Sequence, residues 1–179
     1  MINSKSFITI AITSPDYIED EARKIISLLE SGNIDYCHIR KPNSSEKEVE
    51  ELIKKIPETY HPSLKLHDYY SLLGYYDLGG VHLNARNKEI PLNAKAVSKS
   101  CHSLVELENI HDFDYVTLSP VFNSISKQGY NALFNFEELK TVLKKRQNVV
   151  ALGGVTPDKI PFLKNLGFFG AAMLGYFWN

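Results

Sequence analysis

The chain has little of what marks a specialised protein class. Its 179 residues hold two cysteines, Cys37 and Cys101, too few for a disulfide framework. Both lie in apolar segments, so buried reduced thiols are expected. Neither sign of charge is in excess: 20 Lys and Arg stand against 21 Asp and Glu, for a net charge of −1. So balanced a chain has no broad field to draw nucleic acid or an anionic membrane, and neither partner is expected. Long apolar runs are missing as well. "FITIAI" (residues 7–12) is shorter than a signal-peptide core and lacks a small-residue cleavage site. No stretch nears the roughly 20 apolar residues that cross a bilayer. A cytoplasmic location is the expectation. With no Pro/Gly/Ser linker, residues 1–179 read as a single domain.

Short β-rich runs alternate with helical periodicity, the pattern of βα units that build a parallel sheet. Strands are predicted at 7–12, 34–40, 62–66, 79–83, 94–99, 113–119, 148–152 and 168–173. Eight is the number that closes a (β/α)8 barrel. Ile18, Ala22, Ile25, Ile26 and Leu29 fall at helical spacing before a stop at Gly32. "SSEKEVEELIKKI" and "NFEELKTVLKKR" repeat the pattern. The segments between strands three and five are too short for full helices, and the chain ends soon after strand eight. The expected fold is therefore α/β: an abbreviated TIM (β/α)8 barrel with short or missing helices after strands 3, 4 and 8. A doubly wound open sheet is the alternative if the runs at 62 and 79 are loops.

Three clusters carry chemistry. In "VVALGGVTPDKI" (149–160), Gly153 and Gly154 end strand seven, Thr156 is a candidate N-cap and Pro157 suits the first helical turn. With Gly175 after strand eight, two glycine-bearing loops stand where barrels of this class bind phosphate through bare backbone amides. A tight turn alone would also explain the glycine pair. In "IDYCHIRKPN", alternation puts Tyr36, His38 and Arg40 on one face. An arginine turned into a barrel needs an anion, or a carboxylate such as Asp68, to offset its charge. In "LSPVFNSISKQGY", Ser124, Ser126 and Lys127 precede Gly129, a composition suited to a loop that grips pyrophosphate and equally ordinary for a solvated loop.

The order and spacing of "CHIRK", "LHDYY", "GGVHLN", "SKSCHS", "YVTLSPVFNSISK" and "ALGGVTPDKI" resemble the thiamine phosphate synthase family and its relatives, the thiazole tautomerases. The resemblance runs from about residue 7 to 177. It implies a transferase that joins hydroxymethylpyrimidine pyrophosphate to a thiazole phosphate, releasing pyrophosphate with the help of Mg²⁺. By position it assigns Arg40, Lys127, Ser100, Ser124 and Ser126 to the pyrophosphate. His38 and His67 fall among the substrate-binding positions, and Gly153, Gly154 and Gly175 at the thiazole phosphate. Asp68 would reach the metal, with Asn87 standing where the family has a second metal carboxylate. His38 replaces a glutamine, and Pro42 stands in place of a pyrophosphate-binding lysine, with Lys41 one place off. Two alternatives stay open: a tautomerase-like enzyme, with His38, His67 or His102 as base, and a non-catalytic binder of a thiazole or thiamine phosphate. For His82 a hydrogen-bonded structural role is expected. Tyr176, Phe177 and Trp178 beside an uncovered last strand would suit a homodimer.

Overall fold

The computed structural model describes residues 7–123 and 134–178. Eight parallel strands close into a barrel in chain order. They are β1 (Ile8–Ile12), β2 (Tyr36–Ile39), β3 (Leu64–Leu66), β4 (Gly80–Leu83), β5 (Val97–Cys101), β6 (Tyr115–Leu118), β7 (Val149–Ala151) and β8 (Gly170–Met173). β8 returns to β1 in register from Ile8↔Gly170 to Ala11↔Met173, which removes every open edge and rules out the open-sheet alternative.

Helices follow five strands: α1 (Glu21–Glu30), α2 (Glu46–Lys54), α3 (Leu104–Asn109), α4 (Phe136–Lys145) and α5 (Ile160–Leu166). α2 begins where the sequence signals a start. Ser45 accepts from the Glu48 amide at 3.3 Å while Glu48 accepts from the Ser45 amide at 2.7 Å, and Val49, Leu52 and Ile53 face the core. After β3 there is only a 3-10 turn (Tyr70–Gly74), after β4 no helix, and after β8 a single turn, α6 (Gly175–Trp178). The abbreviation falls at the three expected places.

One strand boundary is corrected. β5 runs from Val97, three residues later than the sequence pattern suggests. Its start is set by β4: the Val81 amide donates to the Ala96 carbonyl at 2.9 Å, and a Cβ on Gly80 would lie 2.0 Å from that oxygen. Only a glycine admits this approach, so pairing begins one residue later, at Val81↔Val97. The terminal aromatics divide between the barrel and the surface. Phe177 is buried and the Trp178 indole donates to the Ile12 carbonyl, leaving Tyr176 exposed. Two of the three rings cover the chain's own barrel.

The barrel interior is divided by chemistry. Ile10, Ile12, Val150 and Ala172, from β1, β7 and β8, form an apolar side. From β2 to β6 every strand also buries a polar side chain, His38, Lys65, His82, Ser98 and Thr117 in turn, with His67 just beyond β3. Barrels of this class are ordinarily filled by branched apolar side chains, so the polar half points to a role beyond packing. Lys41 belongs to neither half. Its ammonium is fully buried against Glu21 at 2.8 Å and also donates to the Ser14 and Asp16 carbonyls, each at 2.9 Å. Both cysteines are free and buried. Among the described residues no helix is long and apolar enough to cross a membrane.

Candidate active site

The C-terminal ends of the strands bring together residues far apart in sequence. Arg40 leaves β2 there. Its amide donates to Thr13 Oγ1 at 2.9 Å, and Thr13 Oγ1 donates back to the Arg40 carbonyl at 3.2 Å, which fixes the backbone. The Arg40 guanidinium is half-buried, and among the described residues it has no hydrogen-bond or ion-pair partner. Burial, then the nearby Arg86, pushes its pKa down while Asp68 opposes the shift. Asp68 was one candidate partner for Arg40, but its carboxylate bonds a different arginine. Arg86 Nη2 donates to both Asp68 oxygens at 3.1 Å, and Nε donates to Oδ1 at 3.3 Å.

The turn after β4 builds this pair. Asn84 Oδ1 accepts from the amides of Arg86 (2.9 Å) and Asn87 (3.2 Å), while its Nδ2 donates to the His67 carbonyl at 2.8 Å. Asn87 Nδ2 donates to that same carbonyl at 2.9 Å and to Asp68 Oδ1 at 2.7 Å. Both of these Asn87 partners are acceptors, so the amide nitrogen must face Asp68. The turn thereby ties the β4 loop to the end of β3 and holds Arg86 on Asp68.

This geometry bears on the metal that the resemblance implies. Mg²⁺ takes oxygen ligands, typically one or two carboxylates with waters and phosphates. Here both oxygens of Asp68 already meet a guanidinium, and Asn87 presents an N–H to the same place. A cation would sit beside Arg86 and near Arg40. As arranged, these residues do not fit a divalent cation. The one cluster of potential metal ligands among the described residues is His38, His67 and His82, whose ligand atoms lie within 4.8 Å of one another. The charged groups acting on those rings are Lys65, Arg40 and Arg86, all cations, which disfavours a metal there too.

The histidines instead form a hydrogen-bonded network below the mouth. His38 Nδ1 lies 2.9 Å from His67 Nε2, and His38 Nε2 lies 2.6 Å from the Tyr115 hydroxyl. His82 Nδ1 and Nε2 each sit 2.9 Å from a serine hydroxyl, Ser98 and Ser100 respectively. The structural role expected for His82 is therefore seen. Desolvation holds all three imidazoles neutral, with the His82 pKa lowered to about 3. Lys65, between the Tyr36 and Tyr115 rings, is lowered by burial to about 8. In the same interior, Thr117 Oγ1 has no hydrogen-bond partner among the described residues.

Gly153 and Gly154 follow β7, and Gly175 follows the adjacent β8. The pair has φ of 88° and 62°, and a Cβ on Gly154 would lie 2.1 Å from the Asn123 carbonyl oxygen. Close packing against the loop after β6 is thus sufficient reason for glycine here. Thr156 occupies the N-cap position, but its hydroxyl bonds Asp158 and caps no amide.

Of the residues expected at the site, Arg40, Ser100, His38, His67, Asp68 and Asn87 are gathered at or just under the mouth. Gly153, Gly154 and Gly175 lie on its far rim. Ser124, Ser126 and Lys127 lie outside the described residues. Lys41, one place from the family's lysine, points away into its ion pair with Glu21. Arg86, Asn84 and Tyr115 carry much of the arrangement without having been singled out. Arg86 stands inside "HLNARN", beside the position where a metal carboxylate was sought, and that juxtaposition was the available signal.

Comparison with known proteins shows the family and the fold. A family model described as thiamine monophosphate synthase matches residues 9–176. A thiamine-phosphate synthase of Bacteroides fragilis is 24% identical over 191 residues, covering 96% of this chain and 90% of that protein. One from Levilactobacillus brevis is 29% identical over 109 residues, covering 55% of this chain and 50% of that protein. With the relative from Prochlorococcus marinus, of which 42% is covered, this means that the chain spans about half or less of some relatives' length. Among solved structures, the crystal structure of thiamine phosphate pyrophosphorylase from Bacteroides thetaiotaomicron superposes with a TM-score of 0.84 at 37% identity. That match covers 97% of this chain and 85% of the other. The Pyrococcus furiosus thiamine phosphate pyrophosphorylase, at 20% identity and TM-score 0.75, shares the fold.

Proposed function

Because the chain belongs to the thiamine monophosphate synthase family, we propose that it is a transferase of thiamine biosynthesis that joins hydroxymethylpyrimidine pyrophosphate to a thiazole phosphate. In that reaction the bond between the pyrimidine methylene carbon and the pyrophosphate oxygen breaks, and its electron pair leaves with the oxygen. The thiazole nitrogen lone pair then forms the new C–N bond, so product and pyrophosphate account for every atom. Such a step asks for charge stabilisation on the leaving group more than for acid-base groups.

The observation that carries this reading is Arg40, a half-buried guanidinium at the barrel mouth without a partner among the described residues. A desolvated cation of this kind is stabilised by an incoming anion. Lys127, Ser124 and Ser126 would complete the pyrophosphate grip from the loop after β6, and Ser100 would add a hydroxyl from β5. His38 and His67, neutral below the mouth, would meet the pyrimidine. The rim of Gly153, Gly154 and Gly175 would hold the thiazole phosphate. A cytoplasmic location and a homodimer sharing the Tyr176 face complete the proposal.

The test is formation of thiamine phosphate by the purified chain from both substrates with Mg²⁺ present. Arg40→Ala is expected to lower the rate at least ~100-fold, the range for losing one preorganised charge-stabilising donor. Equal rates in both proteins, or no product from the native chain, would refute the reading. A tautomerase-like reaction needs a free base at the mouth. His38 and His67 are buried and bonded to each other, which counts against either as that base, while the exposed His102, its Nδ1 3.3 Å from the Ser119 hydroxyl, is the candidate base that this second reading retains.

A further inference from the structure

We propose that Arg86 takes the place of the divalent cation, so that this chain holds its pyrophosphate with two guanidiniums and needs no Mg²⁺ to do so. The identity of the anion rests on the function proposed above; the cation's replacement rests on the geometry alone. Three observations carry it. First, both oxygens of Asp68, the single carboxylate that the resemblance would give to a metal, accept from Arg86. Second, Asn87 stands where a second carboxylate is expected, and its amide nitrogen donates to Asp68 at 2.7 Å. Third, Arg40 and Arg86 lie within electrostatic reach of each other with Asp68 as the carboxylate acting on Arg40, so the local charge is positive before any ligand arrives.

The Asp68 pair uses Nε and Nη2 of Arg86, leaving the two N–H donors of Nη1 outside it. The Arg86 side chain is 46% exposed while its carboxylate partner is only 15% exposed, so the guanidinium is anchored on one side and open on the other. The Asn84-centred turn fixes its backbone. A preorganised planar fork suits phosphoryl oxygens, and together the two arginines supply the positive charge that a metal would bring to a diphosphate.

The experiment is calorimetric titration of the full chain with inorganic pyrophosphate, once in EDTA and once in millimolar Mg²⁺. The native chain should bind in EDTA, with Mg²⁺ changing the affinity by less than about threefold. Arg86→Ala should weaken binding in EDTA about 10- to 100-fold, the worth of a charged hydrogen-bond pair. Arg86 is exposed, so this variant should keep the native melting temperature within a few degrees. The double variant Arg86→Ala with Asn87→Asp restores a second carboxylate and should bind pyrophosphate more tightly with Mg²⁺ than without. Binding by the native chain that is undetectable in EDTA and restored by Mg²⁺ would overturn the inference, as would native affinity in Arg86→Ala. If metal-free pyrophosphate binding holds while no thiamine phosphate forms, the proposed function fails and the arginine substitution stands.

Discussion

Acid should destabilise this protein before its carboxylates titrate, because three imidazoles are sealed in the barrel without protons. His38, His67 and His82 are at most 5% exposed, and desolvation lowers each pKa from an ordinary value of 6.5, His82 to about 3. Lys65 acts on His38 and His82, and Arg40 and Arg86 on His67, all in the same direction, while Tyr115 supplies a neutral hydroxyl. Unfolded histidines take up protons as pH falls through about 6.5 and the folded ones do not, so acid favours the unfolded state. The stability held by the neutral cluster is complete above about pH 7.5 and is lost on acidification. At about pH 5.5 one such group costs roughly 1–2 kcal/mol, and three approach about 4 kcal/mol, a large share of a typical domain stability of ~5–15 kcal/mol. Glu21, raised by burial, works in the opposite sense and softens the slope only nearer its own range. Urea unfolding at a series of pH values between about 7.5 and 5.5 measures the loss. His38→Gln keeps hydrogen-bonding groups without a titrating proton and should remove about a third of it. A flat stability over that range would refute the neutral-cluster argument, as would a slope unchanged in His38→Gln.

Two further predictions concern residues near the family's functional positions. Lys41→Ala strands the Glu21 carboxylate in the core and should cost about 3–5 kcal/mol, seen as a melting temperature lower by roughly 10 °C. Replacing both partners, Lys41→Met with Glu21→Leu, should recover most of that loss. If Lys41→Ala instead melts normally and loses pyrophosphate binding, the residue serves the site. Gly154→Ala should cost more than about 2 kcal/mol, because its Cβ meets the Asn123 carbonyl at 2.1 Å in left-handed backbone. Gly32→Ala has a similar φ, 68°, with nothing within 4 Å, and should lose only about 1 kcal/mol in the same melts. Equal losses at the two positions would show that backbone strain, not the β6 loop contact, sets the cost.

The sequence by itself determined the barrel and where it is abbreviated. Strand and helix periodicities are local, and the segments after β3 and β4 are visibly too short to hold a full helix. It also placed Tyr36 and His38 on the inner face of β2, since alternation needs no knowledge of the neighbouring strand. The start of β5 escaped it, because that boundary is set by the Ala96 carbonyl passing over a bare Gly80 in another strand. Only the tertiary structure decided which charges meet. Lys41 and Arg40 are adjacent in the chain, yet one is sealed against Glu21 and the other left open at the mouth. Asp68 was legible as a carboxylate of the site, but not as the partner of Arg86. That pairing depends on a turn held by Asn84 and on the register between β3 and β4. Ion pairs form through space between loops whose separation along the chain carries no period, and no local pattern records them.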